Sequence, residues 1–349
     1  MSAAPTPPFA DEPARTAPET LLGLQYLRGL AATGVVVFHA SQAAGRTFHA
    51  GAFGVDIFFV LSGFLMMRIT GERSRPWPFM RDRLWRIVPL YWLASLTAFG
   101  FGLFGMFGSP SLQRAAASFA FLPWGPPAEA PFFFPVLSIG WTLNYEIFFY
   151  ALFACALLLP LRARLPALTA FFLLIAVLGR IAPAGLPPLL FWSNPLILQF
   201  VAGAWAGALW RRGGRYRPGR GWALLLAAPI VWMVLQRPMP PIPLLFDSRL
   251  CLAIPALLLL LGTLEFERRP GGIARLPAAR LLGDASYSIY LWHLFAIAAA
   301  SRAVRMLELP PVILFPLGVA AGVTAGLLAY LIVERPLLAW RRNRRRPPD

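Results

Sequence analysis

Two polar residues interrupt the apolar stretch LRGLAATGVVVFHA, residues 27–40: Arg28 and His39. In an α-helix, eleven residues span about 16 Å of axis and overshoot three turns by about 20°. The two side chains therefore point the same way at different depths. A guanidinium presents a fixed fork of donors to an anion, and an imidazole accepts a proton near neutrality. One face of this helix thus carries a cation at one end and a proton acceptor at the other. Arg83 and Arg86, in FMRDRLWRIVPLYW, are three apart and share a helical face. Paired guanidiniums of this kind suit a phosphate-bearing ligand. Further polar groups stand in apolar surroundings: Asp56 in GVDIFFVLSGF, Glu146 with Trp141, Asn144 and Tyr145 in WTLNYEIFFY, and Asp284, Ser286, Tyr287 and His293 in LGDASYSIYLWH.

The elements that must hold these residues lie in lipid. The 349 residues are 58% hydrophobic and 13% charged, with a mean hydropathy of +0.62, whereas soluble domains carry roughly 25% charged residues. Apolar stretches long enough to cross a bilayer fall near 24–44, 51–69, 87–107, 138–160, 165–185, 190–210, 222–236, 244–263, 281–300 and 311–333. The expected fold is all-α, a polytopic bundle of about ten transmembrane helices. Residues 1–20 are Pro/Ala-rich without an apolar signal-peptide core and read as a disordered cytoplasmic tail. Residues 21–337 form the membrane domain, and 338–349 form a basic cytoplasmic tail. Cys155 and Cys251 both sit in apolar runs, which argues against a disulfide framework or a Cys-based metal site.

All 32 basic residues are arginine. With both termini cytoplasmic and an even number of spans, 24 of them fall on the cytoplasmic side, seven on the other, and Arg28 within a span. The net charge of +17 is then a topological signal rather than a nucleic-acid footprint. The same topology places Arg28 near the cytoplasmic face and puts His39, Asp56, Glu146 and His293 in the outer half of the bilayer. Ionisable groups at that depth mark functional sites by default. Each also has a plainer reading: snorkelling for Arg28, interhelical hydrogen bonding for the histidines and acids, interfacial anchoring for Trp141.

Taken together, these stretches resemble acyltransferase family 3, the bacterial integral-membrane acyltransferases. The resemblance rests on Arg28 and His39 with ten residues between, GVDIFFVLSGF, Arg83 and Arg86 before IVPLYW, WTLNYEIFFY, LGDASYSIYLWH and the closing VERPL. It spans residues 21–337, and YEIFFY looks most like members that decorate exopolysaccharide. It implies O-acyl transfer, with acetyl the expected group, from cytoplasmic acyl-CoA to a sugar hydroxyl of a polysaccharide or lipid-linked glycan. The setting would be the bacterial inner membrane, with polysaccharide biosynthesis machinery as a partner and no metal. Arg28, Arg83 and Arg86 would hold the donor. His39 would act as general base or as acyl carrier, oriented by Asp56 or Glu146. Asn144 and Tyr287 are candidate oxyanion donors, and Trp141 and His293 line the acceptor site; Trp77, Trp92 and Trp124 would also supply stacking faces for sugar. The competing expectations are a flippase for a lipid-linked glycan, which has no need of a phosphate clamp, and an inert member of an export complex, which leaves His39 without a purpose.

Overall fold

The computed structural model describes residues 20–103, 111–126, 133–181, 187–236 and 248–344. Among these residues the regular structure is entirely helical, as expected of a chain whose backbone must satisfy its own hydrogen bonds in lipid. The first helices are α1 (Leu22–Ala43), α2 (Gly54–Ile69), α3 (Pro76–Leu103), α4 (Leu112–Phe119) and α5 (Trp141–Ala156). There follow α6 (Leu161–Ile181), α7 (Pro187–Trp192), α8 (Leu198–Arg211), α9 (Arg220–Leu235) and α10 (Ser248–Cys251). The last five are α11 (Ala253–Glu267), α12 (Pro277–Asp284), α13 (Ser286–Met306), α14 (Leu314–Ala329) and α15 (Arg335–Asn343). Residues 1–19 and 345–349 of the two expected tails lie outside the described residues, and the basic segment 338–343 is helical.

Four continuous helical stretches among the described residues are long and apolar enough to cross a membrane: His49–Ile69, Pro76–Leu103, Leu161–Gly179 and Pro311–Asn343. Large apolar side chains such as Leu96, Leu103, Trp222, Leu226, Ile230 and Ile332 face outward, which only a lipid surround makes favourable. Several expected spans are built differently from a single rod. The 87–107 span begins eleven residues early, at Pro76, because a proline suits a helix start and charge does not stop a helix as it stops a lipid-crossing segment. The 28 residues of α3 reach about 42 Å, so its Arg-bearing first turns extend past a hydrocarbon core of about 30 Å. The 281–300 span breaks at Ala285 between α12 and α13. The 311–333 span ends in a π-helical turn, Tyr330–Glu334. That turn leaves Glu334 buried, where it accepts a 2.6 Å hydrogen bond from Ser288 Oγ on α13.

Helix α1 lies at the centre, packed on α2, α11, α12, α13 and α14. Two pairings fix its relation to α13. Arg28 donates to Ser286 Oγ through Nε (3.2 Å) and Nη2 (3.0 Å), and His39 meets His293. Residue numbers rise together along both helices, so α1 and α13 run in the same direction. Helices α2 and α8 approach closely enough that a Cβ at Gly63 would lie 1.8 Å from the Phe200 carbonyl oxygen, and one at Gly203 would lie 1.9 Å from that of Val60. Small residues at such contacts are how helices associate where lipid removes the hydrophobic drive. Beside this seam Phe59 stacks on Phe200 (centroids 4.4 Å apart) and Phe149 on Phe200 (4.7 Å). On the Arg-rich side, Arg211 donates to the carbonyls of Met67 (3.3 Å) and Thr70 (2.8 Å) at the end of α2, supplying partners that a helix C-terminus lacks.

Candidate functional site

Helix α1 borders two cavities, one at each of its polar ends. The cavity beside Arg28 has a volume of about 270 Å³ and is walled by α1, α2, α3, α5 and α13. The one beside His39 has a volume of about 670 Å³ and opens among α1, α2, α5, α9 and the segment before α2. Val55 and Tyr290 line both.

Three guanidiniums, of Arg28, Arg83 and Arg86, meet one carboxylate, Glu146, in the smaller cavity. Three cations thus stand against one anion in the lining, with the buried Glu334 also near Arg28. The carboxylate is itself engaged: Ser62 Oγ donates to Glu146 Oε1 at 3.0 Å, and the Tyr150 hydroxyl donates to the same oxygen. Arg83 Nε is buried and has no hydrogen-bond partner among the described residues. A buried donor left unmade costs about 1–3 kcal/mol, more for a charged group. The rest of the lining, Phe58, Phe59, Leu61, Leu65, Met66 and Ile69 among others, is apolar. An anionic head and a slender, less polar arm is the ligand shape that matches.

In the larger cavity the central group is His39. Its Nδ1 lies 3.0 Å from the Val35 carbonyl oxygen and 3.1 Å from His293 Nε2. A carbonyl only accepts, so Nδ1 carries the proton. The same logic applies behind it: His293 Nδ1 lies 3.1 Å from the Ile289 carbonyl, so His293 Nε2 is the acceptor for His39. Two backbone carbonyls, each four residues earlier on its own helix, thereby favour the Nδ1–H form of both rings, the one His39 Nδ1 proton being shared between the Val35 carbonyl and His293 Nε2. They leave His39 Nε2 as a lone-pair nitrogen, and no described residue hydrogen-bonds it. Around it stand Asp56, Gln42, His49, Gln236 and Ser138, with Phe38, Phe53, Phe134, Trp141 and Trp232 as aromatic walls. Flat apolar faces among a few polar groups suit a sugar ring.

Against the sequence expectations, the structure divides the residues differently. Arg28, Arg83 and Arg86 come together, and His39, Asp56 and Trp141 share the other cavity. Glu146 was expected beside His39; it stands instead among the arginines, because Thr142, Glu146 and Tyr150 recur every four residues on the one face of α5 that lines the smaller cavity. Asp56 lines the larger cavity and accepts from Gln199 Nε2 at 2.6 Å. His293 was expected to touch substrate; it has no exposed surface and backs His39 instead. Asn144 is 1% exposed, lines neither cavity, and neither its Oδ1 nor its Nδ2 has a hydrogen-bond partner among the described residues. Tyr287 lines the smaller cavity rather than the larger, its hydroxyl donating to the Ile87 carbonyl at 2.7 Å. Trp77, Trp92 and Trp124 are exposed and line neither cavity.

Sequence reasoning overlooked Tyr150 and Tyr290. The four-residue spacing of Tyr150 from Glu146 was the signal that could have found it. Tyr290 lies between Ser286 and His293, at i, i+4 and i+7, on the stripe of α13 where Ser286 bonds Arg28 and His293 meets His39 of α1. Among the described residues no three His, Cys, Asp or Glu side chains converge as a metal site, and both cysteines are free.

Comparison with known proteins places this geometry in context. The family described as acyltransferase domain matches residues 21–331. The exopolysaccharide production protein ExoZ of Rhizobium meliloti (strain 1021) is 40% identical over 314 residues, covering 89% of this chain and 96% of the relative. BcsY of Komagataeibacter xylinus, whose name describes a membrane-bound transacylase, is 29% identical over 338 residues, covering 88% and 81%. No solved structure matches.

Proposed function

Because the chain belongs to the acyltransferase domain family, we propose that this membrane enzyme carries an acetyl group from acetyl-CoA in the cytoplasm to a sugar hydroxyl of an exopolysaccharide or its lipid-linked precursor. The observation that carries the reading is that one helix, α1, presents a cationic cavity at Arg28 and a proton acceptor at His39, with the two cavities meeting at Val55 and Tyr290. The likeness to an exopolysaccharide production protein supports the acceptor class. The arginine distribution supports ten spans in the inner membrane with both termini cytoplasmic. The parallel course of α1 and α13, first and ninth in that scheme, agrees with it.

In this reading Arg83, Arg86 and Arg28 hold the phosphates of the donor at the cytoplasmic side. Glu146, fixed by Ser62 and Tyr150, spaces the like charges of the arginines. The donor's arm runs toward the neck, about the 16 Å that separates Arg28 from His39 along the helix. His39 Nε2 takes the proton of the acceptor hydroxyl as its oxygen bonds to the thioester carbonyl carbon. The carbon–sulfur bond then breaks, and the departing thiolate takes up that proton to leave as the free thiol. His293 is a positioning residue: its Nε2 accepts from His39 Nδ1, so the lone pair of His39 faces the acceptor.

Replacing His293 with leucine should therefore lower kcat by about 10²-fold, the scale of a misplaced reacting group, with little change in KM for acetyl-CoA. Glutamine, whose amide oxygen can accept from His39 Nδ1, should restore most of the rate; equal rates in the two variants would reduce His293 to packing. The function itself is tested by measuring O-acyl groups on polysaccharide, by proton NMR, in cells lacking the gene and in cells complemented with it. Loss on deletion with recovery on complementation is the expected result. Unchanged acylation with glycan held inside the cell would replace acyl transfer by transport.

A further inference from the structure

We propose that Val55 and Tyr290 form a rigid neck that sets the upper size of the transferred acyl group, passing acetyl and rejecting longer chains. The inference rests on the donor entering through the arginine cavity. The acyl group of such a donor must pass from the cavity that holds Arg83 to the cavity that holds His39, and these two residues are the lining that both cavities share.

Neither wall can easily withdraw. Val55 is β-branched and stiff about χ1, and it sits in the first turn of α2, which is pinned to α1. A Cβ at the preceding Gly54 would lie 2.2 Å from the Ala31 carbonyl oxygen and 3.0 Å from a Val35 methyl, so the helices are already in backbone contact there. Tyr290 is buried, donates to the Ile139 carbonyl at 2.9 Å and lies 2.7 Å from Thr142 Oγ1. Its ring packs edge-on against Phe58, 6.1 Å between centroids. The tyrosine hydroxyl is thus anchored to the start of α5 and the ring to α2, while Val55 is anchored to α1. A neck walled by fixed groups discriminates by size, whereas a flexible one adapts. One methylene too many in a close-fitting apolar site costs about 10–200-fold in rate.

The test is a competition within one sample. Full-length protein in lipid nanodiscs receives acetyl-CoA and propionyl-CoA in equal amounts, with alkali-de-O-acylated polysaccharide from cells lacking the gene as acceptor. Mass spectrometry then reads the propionyl-to-acetyl ratio on the product for wild type, Val55→Ala and Val55→Ile. The expected ratio rises about tenfold in Val55→Ala and falls below wild type in Val55→Ile. Because it is a ratio, it does not depend on how much of each variant folds. The same ratio in all three proteins overturns the neck while leaving the acyl-CoA reading standing. Wild-type protein that transfers neither group overturns that reading, and the neck with it.

Discussion

His39→Ala lowers kcat for transfer from acetyl-CoA by about 10²–10⁴-fold, the contribution of a positioned general base, and leaves the KM for acetyl-CoA nearly unchanged. The expectation follows from the separation of the two cavities. The arginines proposed to hold the donor line one of them, and the imidazole lines the other, so removing the imidazole should not loosen the donor. The pH dependence changes as well. In the wild-type enzyme kcat/KM rises through the titration of His39, since only the neutral ring has a lone pair at Nε2. In His39→Ala that rising limb is absent. Steady-state kinetics with purified full-length protein, repeated across pH, checks both expectations. A variant with the wild-type rate and profile would remove His39 from the chemistry. A large increase in KM with unchanged kcat would make it a binding group. The substitution is well suited to the question, because the surrounding α1 positions Ala31, Ala32 and Ala40 already accommodate alanine in the packed face.

Arg83→Gln and Arg86→Gln each raise the KM for acetyl-CoA by about 10–100-fold, since a hydrogen bond to a charged group is worth about 1.5–3 kcal/mol and 1.4 kcal/mol is tenfold in affinity. The larger effect is expected at Arg83, whose buried Nε has no hydrogen-bond partner among the described residues. The same substitutions leave kcat at saturating donor within a few-fold, because neither residue lines the cavity of His39. Titration with desulfo-CoA, which keeps the phosphates and lacks the reacting sulfur, isolates binding from chemistry. Unaltered affinity in both variants would leave the arginines as inward-side anchors and nothing more. Glutamine keeps the first carbons of arginine's stem and some donor capacity but ends two bonds short, so the measured loss reports the charge, the bidentate fork and its reach.

Much of this site was legible before any fold was known, and the legible part has one source. Within a single helix, sequence spacing fixes both azimuth and depth. Arg28 and His39 had to face the same way about 16 Å apart, and Arg83 and Arg86 had to form a pair. Where the reading went astray, it compared depths between helices. Glu146 was placed by its depth along a span expected from residue 138, and depth alone does not say that the polar face of α5 turns toward the arginines. Its four-residue spacing with Thr142 and Tyr150 identified a face without saying which cavity that face would meet. Asn144, two residues away, points about 200° around the helix and is buried among other helices.

By itself the sequence determined an all-helical membrane chain, the uneven clustering of its arginines between apolar stretches, and the two polar ends of α1, because apolar length, charge asymmetry and helical periodicity are properties of consecutive residues. The tertiary structure decided which helices those ends would meet. It paired His39 with His293, 254 residues away, in place of a carboxylate, gave Glu146 to the arginines, and set Val55 and Tyr290 in the lining of both cavities. These outcomes depend on how α1, α2, α5 and α13 are rotated and offset against one another. Close contacts such as that of Gly54 on Ala31 set that registry, and such contacts exist only once the helices have packed.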